Sequence, residues 1–141
     1  RGDSQACGGP MIGLDTNVLV RYLMQDDVAQ AKLASAAIES AAGRGERLRL
    51  TAITVCELVW VLESAYHQTR ADVARALEQI VRTADFELEH VDHVRKAIEG
   101  YRSTPADFAD ALIGLVNEAA GCEHTLTFDR SLKRTPHFKV I

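Results

Sequence analysis

What this chain has little of narrows it first. Its 141 residues include only 9 Gly and 3 Pro, too few for a collagen-like or low-complexity chain. No uncharged apolar stretch approaches the roughly 18–20 residues of a membrane span. The longest apolar region, residues 52–62, is interrupted by Glu57, so no membrane partner is expected. The 3 cysteines, Cys7, Cys56 and Cys122, are odd in number and scattered. They offer neither a disulfide framework nor a C-x-x-C metal or redox motif, which fits a reducing cytoplasm. Net positive charge is missing as well. With 16 Lys+Arg against 20 Asp+Glu, the formal charge is −4 at pH 7, which argues against holding nucleic acid by bulk positive charge.

What is present describes an ordinary globular protein of one domain. A hydrophobic fraction of 47% beside 26% charged residues is enough apolar surface to offset chain entropy, which excludes disorder. Residues 1–10 have no periodicity, and Met11 stands directly before a strand-like run. They are read as a leader foreign to the natural chain, with the domain spanning residues 11–141.

Along the domain, residues 11–14 read as a buried first strand ending at Asp15, and residues 17–23 as a short helix. Asp26 or Asp27 caps an Ala-rich helix that Gly43 and Gly45 stop. Residues 47–53 alternate as a second strand and 55–66 are strongly apolar and helical. The spacing of Val73, Leu77, Ile80 and Val81 predicts a helix over 69–84. Residues 86–91 form a third strand, 92–101 a helix, and Pro105 opens a helix running to residue 120. Residues 123–128 and 138–141 complete the pattern as a fourth and a fifth strand. Strands alternating with helices predict a single α/β domain with a parallel four- to five-stranded sheet flanked by helices. In such sheets ligands sit at the carboxyl ends of the strands.

Five acids fall near those ends. Asp15 closes the first strand and Asp129 the fourth; Glu57 opens the helix after the second; Asp107 and Asp110 open the helix that feeds the fourth. Carboxylates brought together repel one another unless protons or cations neutralise them. Hard oxygen donors without convergent His or Cys select Mg²⁺ or Mn²⁺ over zinc. Such a site can bind a phosphate oxygen and lower the pKa of a metal-bound water.

Each acid also has a plainer reading. Thr54-Val55-Cys56-Glu57 and Thr104-Pro105-Ala106-Asp107 both fit a capping box, in which the acid bonds back to the cap amide. Asp15 can cap the following helix, and Asp129 can start a turn into Arg130-Ser131. Asp110, read as lying past the first turn, has no such alternative.

At this point the residues match a family. Met11-Ile12-Gly13-Leu14-Asp15-Thr16-Asn17-Val18-Leu19 resembles the opening strand of the PIN-domain ribonucleases, especially the VapC toxins of bacterial toxin–antitoxin pairs. Thr54-Val55-Cys56-Glu57-Leu58 is similar to their second acidic motif. Ala106-Asp107-Phe108-Ala109-Asp110-Ala111-Leu112-Ile113 resembles the third, and Thr127-Phe128-Asp129-Arg130 the fourth. All four stand in order over essentially the whole chain from Met11.

The resemblance implies an RNA phosphodiesterase that hydrolyses by a Mg²⁺- or Mn²⁺-activated water, leaving a 5′-phosphate and a 3′-hydroxyl. Asp15, Glu57, Asp110 and Asp129 would be its metal-binding and catalytic acids, with Asp107 a further candidate ligand. Thr16 and Thr127 would hydrogen-bond the site and Asn17 would brace the turn. The resemblance also implies a VapB-type antitoxin partner, a homodimer and a toxin–antitoxin hetero-oligomer. A PIN-like protein-interaction module without nuclease activity is the alternative. A phosphohydrolase of the haloacid-dehalogenase type would want a second Asp where the chain has Asn17.

Other features weigh less. Trp60 is expected in the core, with a partner-binding groove as the alternative. The basic cluster Arg130, Lys133 and Arg134 directly follows Asp129 and is a candidate for RNA phosphate contact. His90-Val91-Asp92-His93 has too few companions for zinc. Asp15, Glu57, Asp110 and Asp129 together equal the whole net charge of −4. Away from such a site the protein is formally neutral.

Overall fold

The computed structural model describes residues 10–141. The expected foreign leader, Pro10 apart, lies outside the described residues, and so does Cys7. Five short strands alternate with six helices: β1 (Met11–Gly13), α1 (Thr16–Met24), α2 (Val28–Gly43), β2 (Arg47–Leu50), α3 (Ala52–Ser64) and α4 (Arg70–Arg82). These are followed by β3 (Phe86–Leu88), α5 (Val91–Ser103), α6 (Phe108–Ala119), β4 (Thr125–Thr127) and β5 (Phe138–Val140). A single 3₁₀ turn, Arg130–Leu132, follows β4.

All observed strand pairs are parallel, as the alternation predicts. They form a three-stranded sheet, β1-β2-β3, and a separate pair, β4-β5. β1 pairs with β2 from Met11 opposite Arg47, and β2 with β3 from Leu48 opposite Phe86. Each neighbouring pair in the larger sheet is joined by a two-helix crossover, the length a parallel connection requires. As an edge strand, β1 is exposed along its length rather than buried.

The core forms where the apolar faces of all six helices meet the sheet, Leu19 and Ile38 of α1 and α2 included. Leu48, Leu50, Leu58, Leu62, Val73, Leu77, Val94 and Phe108 are all buried within it. Each such side chain contributes about 1.5–3 kcal/mol relative to exposure. Across β2 and β3, Arg47 and Arg49 each pair with Glu87 at 3.4 Å, keeping charge on the half-buried positions that alternate with Leu48 and Leu50.

Boundaries shift where hydroxyls and carboxylates compete for the first amides of a helix. Thr51, not Thr54, caps α3: its Oγ1 accepts from the Thr54 amide at 3.1 Å, so β2 stops at Leu50. Asp27 caps α2 by accepting from the Gln30 amide at 3.0 Å. β3 ends at Leu88 because His90 adopts a left-handed conformation, φ 56°, to start α5.

The β4–β5 pair docks on α6. Asn117 Nδ2 donates to Thr125 Oγ1 at 3.0 Å. The Phe138 ring lies so close to Gly114 that a Cβ there would meet Cε2 at 2.7 Å. Any larger residue at this point would force the Phe138 ring to shift.

Candidate active site

Asp15 stands two residues beyond β1 and caps α1, Oδ1 accepting from the Thr16 amide at 2.8 Å. The capping role anticipated for it is therefore real, yet it engages only one carboxylate oxygen. Thr16 is buried and turns its hydroxyl the other way, donating to Glu57 Oε1 on α3. That contact joins residues 41 positions apart and brings the first acidic segment onto the second.

Glu57 has no capping role. With Thr51 as the cap, Thr54 is the third residue of α3 and Glu57 lies in its second turn. The second proposed capping box fails as well. Asp107 is itself the cap residue of α6 but makes no side-chain cap bond, while Thr104 Oγ1 accepts from the Ala106 amide at 3.2 Å. Because α6 begins only at Phe108, Asp110 sits in its first turn, not past it. There the helix dipole favours a negative charge.

Asp110 is nevertheless under electrostatic tension. Partial burial raises its pKa first, and the nearby charges of Asp107 and Asp129 raise it further. Asp129 is held the opposite way. Its Oδ1 accepts from the Ser131 hydroxyl at 2.7 Å and the Ser131 amide at 2.9 Å, and these bonds lower its pKa. The expected turn into Arg130-Ser131 is thus present, and Ser131 is the donor that fixes it. Thr127 supports the same turn by accepting from the Asp129 amide at 3.0 Å.

The remaining link runs between α3 and α6. The Cys56 thiol is pushed up by burial and then by the charge of Asp107, so that carboxylate stands near the turn of α3 carrying Glu57. Glu57 also shares a groove of about 430 Å³ with Ala109, Ile113 and Asn117 of α6. Of the five acids, Glu57 alone lines that groove.

Among the described residues, no Lys or Arg forms an ion pair with Asp15, Glu57, Asp107, Asp110 or Asp129. Other acids, such as Glu78 and Glu87, do have basic partners. An unpaired set of hard oxygen donors whose charges repel suits a small divalent cation. Among the described residues, no three His, Cys, Asp or Glu side chains are grouped so as to hold a metal ion by themselves. A divalent ion at these acids would therefore need water and a substrate phosphate to complete its coordination.

Other expectations fare differently. Asn17 is exposed and lines a shallow groove with Val18, Arg21 and Leu33; it has no bracing hydrogen bond to a described residue. Arg130, Lys133 and Arg134 line a groove of about 420 Å³ whose other wall is Ser103, Thr104 and Pro105. Trp60 is not core: it is 67% exposed, because the exposed face of α3 runs through Ile53, Glu57 and Trp60. His90 and His93 stack edge to face at 5.8 Å at the start of α5, not along a strand.

Two comparisons bear on these positions. A protein named VapC ribonuclease, from Aquifex aeolicus (strain VF5), is 27% identical to this chain over 121 residues, covering 86% of the chain and 89% of that protein. The sequence pattern described as PIN domain matches residues 12–137, a span containing all five acids and both threonines. The chain belongs to the PIN-domain family.

Proposed function

We propose that this protein is a divalent-metal-dependent endoribonuclease of the VapC type, cleaving RNA phosphodiester bonds. The observation that carries this reading is the unpaired acidic set itself, with Asp110 pressed by Asp107 and Asp129 and no basic residue to relieve it. The kinship with a protein named VapC ribonuclease supports the substrate class.

Asp15, Glu57, Asp110 and Asp129 are the proposed holders of Mg²⁺ or Mn²⁺, with Asp107 as a further ligand. When bound, such an ion supplies an activated water at neutral pH and offsets charge on the phosphoryl oxygens. The protein's own groups do the positioning. Thr16 fixes one Glu57 oxygen and leaves the other free, while Asp15 keeps an oxygen beyond its capping bond. Ser131 holds the Asp129 carboxylate ionised, and Thr127 orients the residue through its backbone amide. Arg130, Lys133 and Arg134 offer cations to the flanking RNA phosphates.

A VapB-type antitoxin, a homodimer and a toxin–antitoxin hetero-oligomer belong to the same reading. The exposed Ile53 and Ile113 that line the groove holding Glu57, with exposed Trp60 on the same face of α3, support a protein partner there. The same exposure is what favours the second reading, a PIN-like interaction module without nuclease activity.

Asp15→Asn separates the two readings. Asn is as good a helix cap as Asp, so the melting temperature should stay within about 2 °C (a change below about 0.5 kcal/mol). Cleavage of a mixed RNA pool, supported by Mg²⁺ or Mn²⁺ and abolished by chelator in the wild type, should be lost. Undiminished cleavage in excess chelator sinks the nuclease mechanism, and a purified chain that binds neither ion favours the interaction module.

A further inference from the structure

One basic residue stands where a helix disfavours it. Arg70 is the first residue of α4, where the positive end of the helix dipole repels a cation. Its guanidinium is occupied elsewhere. It donates to the Tyr101 carbonyl at 2.8 and 3.3 Å, to the Thr104 carbonyl at 2.9 Å and to the Ala106 carbonyl at 2.7 Å. It also lies over the Tyr101 ring, 3.8 Å from the centroid. Tyr101 is itself fixed: fully buried, edge-on to Phe108 at 6.2 Å, its hydroxyl donating to Glu63.

The three carbonyls belong to the last turn of α5 and to the connection into α6. Carbonyls at a helix carboxyl end have no partner within the helix, and here a single planar fork with five N–H donors collects them. The held connection has two consequences. It ends at Asp107 and sets the start of α6, and with it Asp110 in the first turn. Its other side, Ser103 to Pro105, forms the wall facing Arg130, Lys133 and Arg134.

We infer that Arg70 is a positioning residue for the metal and RNA site: by gathering the Tyr101, Thr104 and Ala106 carbonyls it fixes the turn that places Asp107 and Asp110 on one side and walls the basic groove on the other. This rests on the proposed acidic site. Arg70 touches neither substrate nor metal. Partners bonded directly to metal ligands are worth roughly 10–100-fold in affinity; Arg70 acts one step further out, through the backbone, so the lower end of that range is expected.

The test is Mn²⁺ binding to the full chain by calorimetry, without RNA, for wild type, Arg70→Met, Arg70→Lys and Asp110→Asn, together with KM and kcat for cleavage. Arg70→Met should still melt cooperatively, bind Mn²⁺ more weakly by up to roughly 10-fold, and raise KM. Arg70→Lys should fall between it and the wild type, because an ammonium is a point donor and not a fork. A lowered melting temperature with unchanged Mn²⁺ affinity and KM is the signature of a structural role and overturns the inference. If Arg70→Met does not fold, Arg70→Lys decides: weakened Mn²⁺ binding supports positioning, and wild-type affinity refutes it. Asp110→Asn separates the two levels. If it binds Mn²⁺ like the wild type, the site reading falls and the role of Arg70 with it. If it weakens binding while Arg70→Met does not, only the positioning role falls.

Discussion

Replacing Asp110 with Asn removes one charge from a group that already carries too much of it. In the fold its pKa is raised by burial, by Asp107 three residues away and by Asp129. A like-charge pair at this helical spacing costs about 0.2–0.5 kcal/mol. Burial and the second acid add to that, while the helix start returns about 0.3 kcal/mol that Asn forgoes. The net is a gain of a few tenths of a kcal/mol for metal-free Asp110→Asn, a rise of about 1 °C for a chain of this size. Metal reverses the order. An ion at 100 times its dissociation constant stabilises the wild type by about 2.7 kcal/mol, several-fold more than the relief of repulsion, and the variant should capture much less of it. The pH dependence has a definite sign. A raised carboxylate pKa favours the fold at low pH, and that contribution is lost as pH rises through the folded value. The stability difference between wild type and variant should therefore be present at neutral pH and fade toward the ordinary carboxyl value of 3.8. Thermal melts from pH 4 to 7, with and without Mn²⁺, measure all of this. A metal-free variant that melts below the wild type at neutral pH, or one that gains as much from Mn²⁺, refutes the reasoning.

Two further outcomes test the surroundings of the acids. Thr16→Val keeps shape but removes the hydroxyl that Glu57 accepts from; it should cost about 1–2 kcal/mol in denaturant melts and lower kcat by roughly 10-fold or more. Substituting Arg130, Lys133 and Arg134 together with Ala should leave kcat at saturating RNA nearly unchanged while weakening RNA binding. The slope of log affinity against log salt should shallow by about 2 for three lost single-strand phosphate contacts, and an unchanged slope removes these residues from the RNA path.

The alternation of strands and helices, and the four acidic segments at helix starts or strand ends, were legible because hydrophobic period and turn chemistry are local. What escaped the sequence was decided by competition between neighbours. Thr51 and Thr54 are both good caps, and only the fold shows Thr51 taking the amide and leaving Glu57 to Thr16. Asp107 looked like the partner of Thr104, but Thr104 bonds Ala106 and Asp107 starts the helix alone. Trp60 reads as core by residue type, yet the turn of α3 places it beside Ile53 and Glu57 on the open face. The division of the strands into three and two depends on pairing between distant segments, which composition does not encode. Arg70 did carry a signal: a cation in a first helical turn works against the dipole and so calls for a partner elsewhere.

The Phe138 ring against Gly114 reaches beyond packing. Gly114 lies one turn after Asp110 on α6, and Phe138 opens β5, whose partner strand leads to Asp129. That contact therefore lies between the helix that carries Asp110 and the strand pair that leads to Asp129. Mg²⁺ demands near-ideal octahedral geometry at about 2.0–2.1 Å, whereas Ca²⁺ accepts longer and less regular shells. A methyl group at position 114 would force the Phe138 ring to shift; where that shift passes into β5, the preference of the proposed site would move toward larger ions. Ion selectivity would then be written in part by a glycine and a phenylalanine that offer no ligand at all.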